Sequence, residues 1–386
     1  MRTQGTITGV RNQRPAALRI TNLVIIAAIA GLWLFAVISR APTKVLGIGK
    51  DGKRALSLSY DTGSSFSEGL APVRRSGKWG YIDKRGVMII PPTFADAGAF
   101  HNGLARVRHH GKAGFIDHGG EFGISPQFER SVDFSEELAA VVVGNKIGYV
   151  DVAGKFAIPP RFLAASDFHD GLAAVQLAAT GSEQWGYADK KGNIVIPAQF
   201  TWADGFSDGR AAVKIEGPNG TLWGFIDKSG KFVIPARFSE SVAFAEGLAS
   251  VRVTPDPAAD AGSRPATAWG FVDKQGTIVI TPQFDKPGYF SEELAAVSSG
   301  GKWGYIDKLG KWVIPPQYDE ARGFSDGLAL VGTRNAAGRM GYGYIRNSGQ
   351  YVIGPRTDIV SASSFCGGMA LLTIARTWYE RLSPLS

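Results

Sequence analysis

The chain has 386 residues, 44% of them hydrophobic and 20% charged, which is enough apolar content for a folded core. Its formal charge of +8 would suit a nucleic-acid partner, yet residues 1 to 54 hold nine basic side chains against the single acid Asp51 and so carry all of it. The rest of the chain has 33 basic and 33 acidic residues, which cancel and remove the electrostatic footprint of a phosphate-binding body.

In chain order, residues 1–19 form a basic segment that contains Arg2, Arg11, Arg14 and Arg19. Residues 20–38 follow with the one long apolar run, close to the roughly 20 residues that a helix needs to cross a bilayer. It reads as a single transmembrane anchor. The preceding arginines favour a cytoplasmic N-terminus and an exported body, although Arg40 and Lys44 on the far side weaken the asymmetry. A cleaved signal peptide is the competing reading, and its best cleavage triplet, Ser39-Arg40-Ala41, carries an arginine in the middle. The expectation is an uncleaved single-pass membrane protein with an extracytoplasmic body, joined by a linker at residues 39–44. Cys366 is the only cysteine, so no intramolecular disulfide forms.

From residue 45 to 374 one pattern recurs with a period near 34 residues, which marks an array. A first strand position, Trp79, Ala113, Ile147, Trp185, Trp223, Trp269, Trp303 and Tyr342, is followed in each copy by glycine, as at Gly80, Gly186, Gly224, Gly270 and Gly304. A second glycine stands seven residues after the first position, as at Gly86, and an aromatic such as Phe100 fourteen residues later; only the last copy, at Phe365, stretches this to sixteen. The segment 45–78 keeps the turn glycine Gly52 and Phe66 but has lost its Trp-Gly, which makes it a ninth, degenerate unit. Residues 375–386 are a tail.

Each unit reads as three short strands, LAAVR, then KWGYID, then a Val/Ile run closed by Ile-Pro. Asp83-Lys84-Arg85-Gly86 suits a tight turn, and Pro91-Pro92 ends pairing. In the middle strand Tyr81 points one way and Ile82 the other, so both faces are apolar and both require cover. Gly80 and its equivalents would let a ring of a neighbouring unit come close to the backbone. All other length variation falls between the LAAV strand and the next Trp-Gly, most of all at residues 254–268, so insertions gather on one face where binding is expected.

KWGYIDKRG, VIPP and F-S-D-G-L-A-x-V together resemble the bacterial WG-repeat, or KWG-repeat, family over nearly all of residues 45–374. That resemblance implies a non-catalytic β-repeat module of a bacterial protein, and with it the expected anchor lies in a bacterial inner membrane and the body in the periplasm or otherwise outside the cytoplasm. The expected fold is thus an all-β tandem array of three-stranded β-meander units behind one transmembrane helix. A propeller-like ring and an open solenoid both remain, and nine units of three strands favour the open form slightly, because propellers usually have four to eight blades of four.

Several motifs invite chemistry. Gly47, Gly49 and Gly52 match a dinucleotide fingerprint in spacing only, without the βαβ unit it needs, so no cofactor is expected. The repeated aspartates Asp83, Asp117, Asp151, Asp189, Asp227, Asp273 and Asp307 offer one carboxylate per unit and suit turn capping better than calcium. His109, His110 and His118 lie on one predicted hairpin but lack a metal-ligand signature. In Glu136-Glu137 and Glu292-Glu293 the second acid occupies a turn slot held elsewhere by Gly69, Gly103, Gly171, Gly247 and Gly327, which argues against paired-carboxylate catalysis. No metal or catalytic residue is assigned. Residues that break the pattern, Trp202, Arg210 and Trp312, are the candidate contacts for a ligand or partner, with buried packing the competing role of the two rings. The expected function is a membrane-anchored binding or scaffold protein that meets a protein or a cell-envelope glycan; a hydrolase or enzyme accessory with its site on the inserted loops, and a structural spacer, are the alternatives.

Overall fold

The computed structural model describes residues 43–177, 184–217, 220–253 and 268–375. The expected membrane helix at 20–38, the tail and the long insertion at 254–267 lie outside the described residues. Every regular element among the described residues is a β-strand. No helix among them is long and apolar enough to cross a membrane.

The units have four antiparallel strands, not three. In one unit these are Thr62–Gly63, Leu70–Arg75, Lys78–Asp83 and Met88–Phe94, hydrogen-bonded in chain order. The first strand escaped the sequence reading because it is two residues long in most units and has no alternation to detect. Eight sheets form, seven of four strands and one of seven, which is two four-stranded units sharing Phe232–Ser241. Nine units result. The unit that completes the set is built from both ends of the described chain: Ile359–Ala362 and Met369–Ala375 supply its first two strands, and Thr43–Gly49 and Arg54–Leu58 its last two. Numbering this composite sheet as one, sheets two to nine follow along the chain.

The sheets close into a ring, which corrects the preference for an open array. Leu46, Ile48 and Leu372 of sheet one pack with Leu328, Leu330 and Tyr344 of sheet nine. On the other face of sheet one, Val45 and Leu371 pack with Phe66, Val73 and Ile82 of sheet two. Similar clusters join each remaining neighbour pair, so every sheet is covered on both faces. The apolar side chains on both faces of the second and third strands require this arrangement; Leu70–Val73 and Gly80–Ile82 are all buried.

Polar bonds run beside the apolar ones. The buried Tyr81 donates its hydroxyl to the Gly98 carbonyl of the next sheet at 2.8 Å, and Tyr149, Tyr187 and Tyr305 do the same to Ser166, Asp204 and Arg322. Where phenylalanine stands instead, at Phe271, the Gly288 carbonyl is met by the hydroxyl of Ser250. A buried carbonyl is thereby kept from being orphaned.

The glycine after each tryptophan has a different cause from the one expected. A Cβ at Gly80 would lie 2.4 Å from the Ile90 carbonyl oxygen and 2.7 Å from the Pro92 nitrogen, both in the fourth strand of its own unit rather than in a neighbour's ring. Pairing explains the crowding. Trp79 sits opposite Phe94 and Tyr81 opposite Ile90, so the fourth strand spends four residues where the third spends two, and its Ile-Pro-Pro bulge folds over the glycine. The same collision recurs at Gly114, Gly148, Gly186, Gly224, Gly270 and Gly304.

The distinction yields a prediction. Gly186→Ala drives a methyl to within 2.5 Å of the Ile196 carbonyl oxygen and should cost about 1–3 kcal/mol or more of stability as overpacking. Gly111→Ala, at φ +81 with no atom within 4 Å of the added methyl, should cost only about 1–2 kcal/mol for the left-handed backbone. Urea unfolding of the two variants would rank them, and an equal loss would contradict the bulge explanation.

Candidate functional site

Each strand runs between two ends of its sheet, so the array presents two kinds of edge. One carries the turn between the first and second strands together with the turn between the third and fourth. The other carries the hairpin between the second and third strands, where the insertions fall.

At the turn edge, the repeated aspartates are occupied with backbone. Asp83 Oδ1 accepts from the N–H groups of Arg85 and Val87, both at 2.9 Å, and Gly86 closes the turn at φ +82. Asp117, Asp151, Asp189, Asp227, Asp273 and Asp307 repeat the pattern. At Asp227 the Ser229 hydroxyl, ahead of burial acting the other way and the N–H bonds of Ser229 and Lys231, leaves the carboxyl below its ordinary range. These are turn caps.

A second set of acids joins one sheet to the next, and the sequence reading missed it as a function-bearing pattern. Glu68, Glu136, Asp170, Asp208, Glu246, Glu292 and Asp326 sit with positive φ in the turn after each first strand. Each carboxylate accepts from a backbone N–H in the same turn of the following sheet: Glu68 from Gly103, Asp170 from Gly209, Asp208 from Gly247, and Asp326 from Gly368. Glu136 bonds Gly171, Glu246 bonds Glu292 and Glu293, and Glu292 bonds Gly327. A basic side chain from the third-to-fourth turn of that following sheet approaches the same carboxylate in several units, as Lys50 does Asp326, His118 does Glu68, Lys190 does Glu136 and Lys308 does Glu246. The signal was present in the sequence as the acid of F-S-[ED]-G and the basic residue after every turn aspartate but Asp151.

The belt is interrupted at sheets three and four. Asn102 replaces the acid there and Val152 replaces the cation, so both halves of the pair are lost together. A pocket of about 580 Å³ lies at this place, lined by Asn102, Glu136, Glu137, Leu138, Asp151, Val152 and Lys190. Glu137 is exposed in it, whereas its counterpart Glu293 holds Lys308 at 2.9 Å.

The residues once weighed for acid-base or metal chemistry do not converge. Glu136-Glu137 and Glu292-Glu293 belong to sheets four and eight. His109 and His110 lie at the hairpin end of Lys112–Ile116, with rings 4.1 Å apart, while His118 lies beyond its other end and stacks on Phe100 at 4.3 Å. The single hairpin expected to carry all three is thus two separate ends of one strand. Among the described residues no group of His, Cys, Asp and Glu is placed to hold a metal ion.

The three pattern-breaking residues occupy three environments. Trp312 is half-buried and packs edge-on to Phe284 with centroids 5.7 Å apart, within the layer between sheets seven and eight. Arg210 stands at the turn edge of sheet six, where the other units have leucine or, at Met369, methionine; its Nη1 donates to the Gly209 carbonyl at 3.0 Å, and its buried Nε has no hydrogen-bond partner. Trp202 lies at the hairpin edge of the same sheet and is 47% exposed. Its Nε1 donates to Asp204 Oδ1 at 2.7 Å, and its ring meets Trp185 of sheet five at 5.3 Å and 49°. Burial, opposed by that indole bond, raises the Asp204 carboxyl above the ordinary carboxylate range.

A closed ring of four-stranded antiparallel sheets places the fold with the β-propellers, here with nine blades. The model of the WG containing repeat matches residues 48–79, 79–112, 114–146, 147–178, 185–217, 223–254, 269–303 and 303–335, and the chain belongs to that family. No curated protein matches it. Among solved structures it is similar to the WD40 domain of SCAP from fission yeast, with 9% identity, a TM-score of 0.39, and 81% of this chain and 94% of that one covered. It is also similar to a quinoprotein alcohol dehydrogenase-like protein from Bacteroides thetaiotaomicron, with 10% identity, a TM-score of 0.35, and 86% and 91% covered.

At Asp326 the contact between sheets nine and one should depend on pH. The Gly368 N–H, with burial opposing and Lys50 assisting, depresses the Asp326 carboxyl. A depressed carboxyl adds stability above its unfolded value near about 4, and that stability disappears as pH falls through the lower folded value. Unfolding midpoints in urea between neutral pH and pH 3 should therefore fall less steeply for Asp326→Asn than for the parent, from a lower starting value; parallel curves would show that the carboxylate does not help hold sheet nine to sheet one.

Proposed function

We propose that this WG-repeat protein is a membrane-anchored, non-catalytic binding scaffold that displays the hairpin edge of its ring to a protein or envelope-glycan partner. The observation that carries the reading is the division of labour between the two edges. Carboxylates at the turn edge are taken up by backbone N–H groups and neighbouring cations; of the three acids that share the pocket, Glu136 is held by the Gly171 N–H and Lys190 and Asp151 caps its own turn, which leaves Glu137 without a second free acid or base of the kind that hydrolysis requires. The hairpin edge instead carries every large insertion and the exposed ring of Trp202. Loops of variable length on a rigid scaffold are where binding is generally built.

The anchor in this proposal is the apolar run at 20–38, with four arginines before it, and it places the body outside the cytoplasm. Two measurements test the whole reading. Deleting residues 1–42 should release the protein from the membrane fraction, and protease added to spheroplasts should reach the body of the parent. Crosslinking in intact cells, with and without residues 254–268, should then show a partner that is lost with the insertion; partners retained in full would favour the spacer role.

A further inference from the structure

The hairpin edge of sheet six differs from its neighbours in one row of side chains. Strand register places Trp202 opposite Lys214 and Lys214 opposite Trp223, so a cation stands between two indoles. Lys214 Nζ lies 5.7 Å from the centre of the Trp223 ring. Beyond Trp202 the row continues to Trp185 of the preceding sheet. The surface is thus aromatic, aromatic, cation, aromatic.

Sheet seven provides an internal comparison. The equivalent register is Glu240 opposite Arg252 opposite Trp269, and Arg252 lies 5.4 Å from the centre of the Trp269 ring. There, however, Glu240 pairs with the guanidinium at 2.7 Å, and Trp269 is only 6% exposed. In sheet six the acid's place is taken by Trp202. No ion pair forms at Lys214 among the described residues, and the ring that replaces its partner is 47% exposed. Two exchanges, Trp202 for Glu240 and Lys214 for Arg252, separate a self-neutralised row from a cation beside an open indole face.

From this we propose that the Trp202–Lys214 row binds an acidic sugar unit, a hexuronate within an anionic polysaccharide, with the pyranose on the Trp202 face and the carboxylate at the Lys214 ammonium. The argument rests on the scaffold reading above and supplies its ligand class. Trp202 already gives its only donor to Asp204, which fixes the ring and leaves it a flat apolar face to offer rather than a hydrogen bond. Such a face suits the C–H side of a pyranose. Paired strands set Trp202 and Lys214 about 5 Å apart at the backbone, which one sugar ring and its carboxylate can span. The ammonium acts as a point charge toward that carboxylate. A small aromatic acid would need an enclosing pocket, whereas an open row suits one unit of a polymer whose affinity comes from repetition. A nucleic acid would require a net basic body, and the chain beyond residue 54 is neutral.

The test uses the full chain in detergent micelles, with a hexamer of galacturonate as probe, read by tryptophan fluorescence and calorimetry. Maltohexaose of equal length and a glutamate hexapeptide serve as comparisons. The galacturonate hexamer should bind at least tenfold more tightly than either, and added salt should weaken it. Trp202→Ala and Lys214→Met should each reduce its affinity tenfold or more; Trp202→Phe should keep most of it, which guards against a folding defect in the alanine variant. Affinity unchanged in Lys214→Met, equal binding of the glutamate peptide, or no galacturonate binding at millimolar concentration would each overturn the proposal. Loss of this binding with crosslinked partners intact would remove the sugar ligand and leave the scaffold reading. Shortening of the hexamer on chromatography would instead remove the non-catalytic reading while leaving the site.

Discussion

Everything in this protein depends on sheets that are apolar on both faces. The second and third strands of each unit bury alternate side chains in opposite directions, so a single unit would expose about half of its apolar set to water. Stacking covers the interior units, but any open array leaves two terminal faces bare. Ring closure removes both. The chain achieves it by splitting one sheet between its two ends, with Val45 and Leu371 facing sheet two while Leu46 and Leu372 face sheet nine.

Two polar devices hold neighbouring sheets in register over that apolar contact. Tyrosine hydroxyls reach into the next sheet to satisfy buried carbonyls, and Ser250 does the same work where phenylalanine has replaced tyrosine. At the turn edge, carboxylates in left-handed turns bond the next turn's N–H groups and attract a lysine or histidine from it. Each bond is modest and partly solvated, yet the pattern repeats around much of the ring and gives direction to an otherwise non-directional packing. Acid and cation are lost together at Asn102 and Val152, whereas Glu292 keeps its bond to the Gly327 N–H with Asn347 at the cation's place, and Lys84 donates to the Gly367 carbonyl where the acid is missing, so backbone groups serve where one charge is absent.

The same reasoning separates structural from binding residues. A carboxylate committed to two backbone N–H groups, as Asp83 is, would abandon its turn to act on a substrate. The hairpin edge carries fewer such obligations: Asp61, Glu129, Asp285 and Asp319 accept from hairpin N–H groups, but loop lengths there vary without disturbing the register of Ala211–Gly217 with Gly220–Ile226. Trp202 illustrates the freedom: it stands where Glu240 neutralises Arg252 in the next sheet, and the sheet beneath it is unchanged.

Much of the array was legible from spacing alone. The seven-residue interval from Trp79 to Gly86 located a strand and its turn, and the constant fourteen residues to Phe100 defined the unit, because period and turn chemistry are local properties. The two-residue first strands were not legible, since pairing so short exists only against a neighbour already in place. Nor was the reason for Gly80, whose crowding by Ile90 and Pro92 depends on a bulge formed between strands. The three residues that broke the pattern were visible as exceptions, but their separation into a core ring at Trp312, a turn-edge cation at Arg210 and an exposed platform at Trp202 required the sheets to be assembled. By itself, then, the sequence determined the repeat, three of its four strands and its electroneutral body. Tertiary structure alone decided closure and the pairing of acids with the next sheet's turns, because both join residues that are remote in the chain or offset by one whole unit, where no local preference operates.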